Sequence, residues 1–143
     1  MCIDGLQFAI QPDSYKGSLN SAPWIRHTGD DRSGSEAAGE SIKVNLDQCH
    51  NINRINIYAF IYEGATAWNK TDAVVTVKVP GQPSIEGPLG DENRSERFCV
   101  IATLEFSPQG DITVTRNMTW HSGGHQEMDR AYDWGMQWQA GSK

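Results

Sequence analysis

The sequence predicts a mostly-β domain, a β-sandwich with one helix docked on it at the C-terminal end. Three observations carry that class. Apolar residues recur with period two over most of the chain. Breakers, above all Gly and Pro, separate those runs at short intervals. One stretch near the end changes to helical spacing. Strands followed by a single helix leave an apolar sheet face for the helix to cover.

Taken in order, Ile42, Val44 and Leu46 alternate with Lys43, Asn45 and Asp47, which predicts a strand with one wet face. Over residues 53–62, Ile55, Ile57, Ala59 and Ile61 share one face and Tyr58, Phe60 and Tyr62 the other. Both faces are apolar, so this strand is expected either to be central and covered on both sides or to turn one face to the helix described below. Residues 73–79 and 97–106 are also β-rich, and in the second Phe98, Val100, Ala102, Leu104 and Phe106 share a face. Cys99 in that strand is expected to act as a small core residue. Ile112 and Val114 open a further strand after the Pro108-Gln109-Gly110-Asp111 turn. Pro80-Gly81-Gln82-Pro83 and residues 86–95 hold most of the breakers, and Pro88 and Gly90 limit that region to a loop or a short edge strand.

The helix follows Gly123-Gly124. Over residues 125–138, Met128, Ala131, Gly135 and Trp138 fall on one face, with Asp129, Arg130 and Asp133 on others. Trp134 and Trp138 add apolar area. The Met128–Ala131–Trp138 face is therefore expected to be buried against a sheet.

Composition bounds the function. The chain has 143 residues, enough for one domain, here residues 1–143, with its own core. Its hydrophobic content is 38%, and no apolar run approaches the ~20 residues of a spanning helix. The start, Met1-Cys2-Ile3-Asp4, lacks the basic and apolar regions of a secretory signal, which implies a cytoplasmic protein. A net charge of −6 without a basic cluster excludes a nucleic-acid binder and suits cations or a basic partner. Cys2, Cys49 and Cys99 are odd in number and widely spaced, so neither a zinc ribbon nor a disulfide framework is implied. No GxSxG elbow, phosphate-binding GxxxxGK[ST] or strand-to-helix GxGxxG occurs.

One stretch carries cation chemistry. In Gly29-Asp30-Asp31-Arg32-Ser33-Gly34-Ser35-Glu36-Ala37-Ala38-Gly39-Glu40, oxygen donors sit at Asp30, Asp31, Ser33, Glu36 and Glu40 between three glycines. Ca²⁺ takes about six to eight oxygens, and only a chain that reverses sharply supplies them from one short loop. The spacing is not that of an EF-hand, and it reads as a cation loop between two strands. The plain alternative is an acidic surface turn. Glu63, at a strand end before Gly64, either reaches that loop or is an exposed strand-end carboxylate.

His121, His125 and Asp129 recur every four residues. On one continuous helix they would share a face and could hold zinc. Gly123-Gly124 interrupts that helix, so His121 is expected to lie in a loop and His125 at the helix start, with no catalytic metal site.

The order of motifs resembles the TerD-like family of tellurium-resistance proteins. It is carried by Gly17-Ser18-Leu19-Asn20-Ser21-Ala22-Pro23-Trp24-Ile25, then Gly29-Asp30-Asp31-Arg32-Ser33-Gly34, then Gly39-Glu40 opening a strand. Ala59-Phe60-Ile61-Tyr62-Glu63-Gly64, Val79-Pro80-Gly81-Gln82-Pro83, Gly124-His125-Gln126-Glu127-Met128-Asp129-Arg130-Ala131-Tyr132 and Gly141-Ser142-Lys143 extend it to the last residue. The resemblance implies a two-sheet β fold, calcium binding and a part in resistance to tellurite and other stresses, with no established reaction. The family position matching Glu63 is acidic. Family members also carry an acidic Asp-Leu-Asp-type strand upstream of the matched region. Only Asp4 remains there in this chain, so that first strand and its ligands are expected to be missing.

The expectation is thus a calcium-binding, non-catalytic stress-response domain that acts through other tellurium-resistance proteins. Its ligands are drawn from Asp30, Asp31, Ser33, Glu36, Glu40 and Glu63. It spans no membrane, with peripheral association left open. The alternative is a calcium-dependent, lectin-like carbohydrate module, with Trp24, Trp68 and Trp120 near strand ends as stacking surfaces.

Overall fold

The computed structural model describes residues 2–3, 6–12, 14–28, 40–61, 74–81, 83–89 and 94–138. It is mostly β, with three antiparallel sheets and one C-terminal helix, as the periodicity predicts. The strands are β1 (Cys2–Ile3), β2 (Leu6–Gln7), β3 (Gly17–Ser18), β4 (Ile25–His27), β5 (Ile42–Val44), β6 (Arg54–Phe60), β7 (Val74–Val77), β8 (Ile85–Pro88), β9 (Phe98–Phe106) and β10 (Ile112–His121). A 3₁₀ helix spans Leu46–Asn51, and α1 spans Gly124–Tyr132. The sheets run β10-β9-β6-β1-β2, β3-β4-β5 and β7-β8. Among the described residues no helix is long and apolar enough to cross a membrane.

Contacts divide the chain into two compact units, Met1–Ile55 with Leu104–Val114, and Asn56–Thr103 with Thr115–Lys143. In the first, β4 is the middle strand of its sheet, with Ile25 opposite Ser18 on one side and Val44 on the other. Ile25 and His27 are buried while Arg26 between them is exposed, the period-two alternation of a strand with one covered face. Gly17 sits at φ +80°, where a Cβ would come 2.1 Å from the Ile25 carbonyl oxygen, so only glycine fits that strand start. Asn45 ties the neighbouring turn down. Its Nδ2 donates to Leu19 O at 2.8 Å, and its N–H to Trp24 O at 2.8 Å.

Two expectations for this unit need correction. The strand begun at Ile42 ends at Val44, and Ile42 and Leu46 are both exposed. Asn45 is the reason that the strand stops before Leu46. Its Oδ1 accepts the Asp47 N–H and caps the 3₁₀ helix, so a capping residue outcompetes alternation.

In the second unit, β9 is buried along nearly its whole length, with Cys99 and Val100 fully enclosed. This is the core role expected for Cys99. β6 was expected to be apolar on both faces, and Asn56 breaks the pattern. Thr103 Oγ1 on β9 donates to Asn117 Oδ1 on β10 at 2.7 Å and lies 3.2 Å from Asn56 Oδ1, forming a polar row across three strands. β7 and β8 form a two-stranded ribbon with Val77 opposite Ile85, and Pro88 lies at the end of its short strand, as its missing N–H requires.

Candidate functional site

Two places gather the residues that the sequence singles out. In the first unit it is the junction between β4 and β5. His27 pairs with Ile42, and the next step is closed by two hydrogen bonds. The Thr28 N–H donates to Ser41 O at 2.9 Å, and the Ser41 N–H donates to Thr28 Oγ1 at 3.0 Å. Thr28 and Ser41 thereby clasp the two ends of the acidic stretch. Glu40 extends from this base, with its Oε2 3.6 Å from Nε2 of the buried His27. Asp30, Asp31, Ser33, Glu36 and Glu63 lie outside the described residues.

In the second unit the residues converge on α1. The helix starts at Gly124, whose φ of +76° suits glycine, so the Gly-Gly pair opens the helix. The Glu127 Oε2 accepts the Gly123 N–H, as the acidic arm of a capping box does, one position later than usual. The other carboxylate oxygen, Oε1, lies 3.4 Å from His121 Nδ1. His121 Nε2 is 3.0 Å from Thr119 Oγ1, which in turn is 2.6 Å from the Tyr132 hydroxyl. With a neutral ring donating from Nδ1, one direction satisfies all four groups. Tyr132 donates to Thr119, Thr119 to His121 and His121 to Glu127. This chain pins both ends of α1 to β10.

His121 therefore departs from the loop role expected for it. It is the last residue of β10 and is buried at 6% exposure, because its two ring nitrogens find partners on the strand and the helix. His125 does sit in the first turn of α1, as expected. Its ring lies edge-on to Phe98 at 4.8 Å, to Tyr58 at 5.6 Å and to Phe60 at 5.6 Å, and stacks on Trp138 at 4.8 Å. Burial among these rings lowers its pKa from the ordinary value, since a charged imidazole loses hydration there.

The helix is shorter than predicted. It stops at Tyr132, and Asp133 turns left-handed at φ 55°. The Asp133 N–H bonds to Arg130 O at 3.4 Å and the Trp134 N–H to Asp129 O at 3.2 Å, the paired 5→2 and 6→1 bonds of a Schellman ending. The buried face differs in consequence. Met128 is buried, but Ala131 is exposed and Trp138 only half-buried. Trp134 is buried just beyond the helix end. Asp129, expected on a polar face, is buried at 5% because its carboxylate is well supplied with donors. Oδ1 accepts the Gly135 N–H at 2.8 Å, and Oδ2 accepts the Met136 N–H at 2.9 Å and the Trp138 Nε1–H at 2.7 Å.

His121, His125 and Asp129 thus face three different sets of partners, and among the described residues no group of three His, Cys, Asp or Glu side chains could hold a metal. The parts played by Thr119, Glu127 and Tyr132 do not follow from the sequence pattern. The Glu four residues after the first glycine of the pair was the one available signal. Trp24 and Trp120 are half-buried, with the Arg94 guanidinium 5.9 Å from the Trp120 ring centre, and Trp68 lies outside the described residues.

No protein-family model matches the chain, and no solved structure matches it. It is similar to the tellurium resistance protein TerA of Alcaligenes sp., with 42% identity over 141 residues. That match covers 98% of this chain and 41% of the relative, so the chain spans less than half of the relative's length.

Proposed function

The chain belongs to the TerA-like tellurium-resistance family, and from that membership we propose a calcium-binding, non-catalytic domain that serves tellurite resistance through other tellurium-resistance proteins. The observation that carries the calcium reading is the Thr28–Ser41 clasp. It brings together the two ends of the stretch bearing Asp30, Asp31, Ser33, Glu36 and Glu40. Ligands from one short stretch converge on an ion only if its ends are held close, and a paired hairpin base does this without using the ligands.

The donor set supports a hard cation, since its side chains are all oxygen ligands. Asp30 and Asp31 act as the carboxylate anchors, Glu36 or Glu40 as the distal carboxylate, and Ser33 or a backbone carbonyl completes the shell, with Glu63 a further candidate. When bound, the ion neutralises the mutual repulsion of these acids. The ordered stretch then offers a docking surface for a protein partner. The tellurium-resistance role rests on the relative's name and on the family's ordered motifs.

Calorimetric titration with Ca²⁺ tests the reading. Binding with a Kd of about 10⁻⁵–10⁻³ M is expected, the weaker part of the range for protein Ca²⁺ sites. It should vanish in Asp30→Asn and in Asp31→Asn. Binding that survives in both variants overturns the assignment.

A further inference from the structure

A cleft lies beside the turn that ends α1. It is bounded by Gln126, Asp129 and Arg130 of α1 and by the returning segment Gly135, Met136, Gln137 and Trp138, and is open to solvent, with a volume of about 420 Å³. That is within the range of small-ligand sites, about 300–1,000 Å³. We propose that this cleft binds a small, neutral, hydroxyl-rich ligand, a monosaccharide or a similar vicinal diol, a function separate from calcium binding.

The walls are preorganised. Asp129 fixes the return segment by accepting from Gly135, Met136 and the Trp138 indole. The Trp138 ring is further oriented by stacking on His125. A ligand that enters does not have to order the return-segment backbone or the Trp138 ring, which lowers the cost of binding to that of fixing the exposed side chains.

Charge selects the ligand class. The lining carries one anion, Asp129, and one cation, Arg130. The carbonyl end of α1 adds partial negative charge, which offsets Arg130 further and disfavours a bound anion. A divalent cation fares no better, because the single carboxylate is already committed to three N–H donors. What remains on offer is hydrogen bonding. The side chains of Gln126, Arg130 and Gln137 are exposed, and none has a hydrogen bond or ion pair among the described residues. Each carboxamide presents donors and an acceptor, which matches hydroxyl groups that both give and take hydrogen bonds. Trp138 and Met136 supply the apolar wall on which the C–H face of a sugar ring rests.

An NMR titration of the whole chain in the presence of EDTA tests this without involving calcium. The probes are glucose, galactose, mannose and N-acetylglucosamine, each raised to about ten times a Kd of about 1 mM, the strength a ligand of this size reaches. At least one should produce saturable shifts at the Gln126 and Gln137 side-chain amides and the Trp138 indole N–H. Affinity should fall at least tenfold in Gln126→Ala and in Gln137→Ala, with unchanged melting temperatures, because both side chains are exposed and unengaged. The proposal is overturned if none of the four sugars moves these resonances. It is equally overturned if the shifts persist in both variants, or if sodium selenite produces them and the sugars do not, which makes the cleft an anion site.

Discussion

Asp129 and Trp138 are joined by a 2.7 Å hydrogen bond from the indole N–H to the carboxylate, nine residues apart in sequence. The same carboxylate holds the backbone of Gly135 and Met136. One buried side chain therefore turns the chain back beneath α1 and brings Trp138 onto His125. A charged group is tolerated there because three donors replace the water it has lost.

Removing that carboxylate strands its donors. Asp129→Ala is expected to cost about 1–2 kcal/mol, because three part-buried donors lose their charged acceptor and regain water only in part. The indole N–H resonance of Trp138 should move to a solvent-exposed position while the β-sheet signals persist. Wild-type stability with an unmoved indole resonance would refute this role.

Gly17 is expected to be intolerant of any side chain. Its φ of +80° and the 2.1 Å approach of a Cβ to the Ile25 carbonyl act together. Gly17→Ala should lower stability by more than about 2 kcal/mol, since left-handed strain and a backbone clash add. Chemical denaturation measures it, with Gly81→Ala as the comparison. Gly81 is also left-handed but meets nothing within 4 Å, so its cost should be strain alone and the smaller of the two.

The cage around His125 makes stability depend on pH. Its folded pKa lies below the ordinary value, so as pH falls through about 6.5 the unfolded chain takes up a proton first. Stability therefore decreases on acidification and levels off below the folded pKa, while above about 7 this group has no effect. His125→Phe should remove this part of the slope and keep the ring packing. Equal pH dependence of melting in the variant and the wild type would show that His125 does not contribute.

Thr28 links the hairpin base to the proposed calcium site. Thr28→Val deletes the acceptor of the Ser41 N–H and keeps the shape, at a stability cost of about 0.5–1.5 kcal/mol. Calcium at a hundredfold excess over Kd should raise wild-type stability by about 2.7 kcal/mol, seen as a higher melting temperature than in chelator. The rise should shrink in Thr28→Val and recover in Thr28→Ser. A full rise in Thr28→Val would separate the clasp from the ion.

Much of the fold was legible because it is written in local periodicity. The alternation around Ile55 and Phe98 predicted β6 and β9, and Cys99 is buried where an apolar strand puts it. Pro88 marked a short strand, and Gly123-Gly124 marked the start of α1. The ordered motifs likewise carry the resemblance to the tellurium-resistance family, in keeping with the 42% identity to TerA.

What periodicity could not carry is the identity of partners. Extending the helix to Trp138 followed from apolar spacing, yet the chain ends it at Tyr132. A Schellman turn and three donors to Asp129 are together worth more there than two further helical turns. The burial of His121 depends on Thr119 beside it and on Glu127 across the turn. The clasp at Thr28 depends on Ser41, thirteen residues on. Spacing sets which face of an element a residue occupies. Which polar group is buried depends on donors that folding brings from elsewhere in the chain, because an ionic or polar side chain leaves water only where those donors await it.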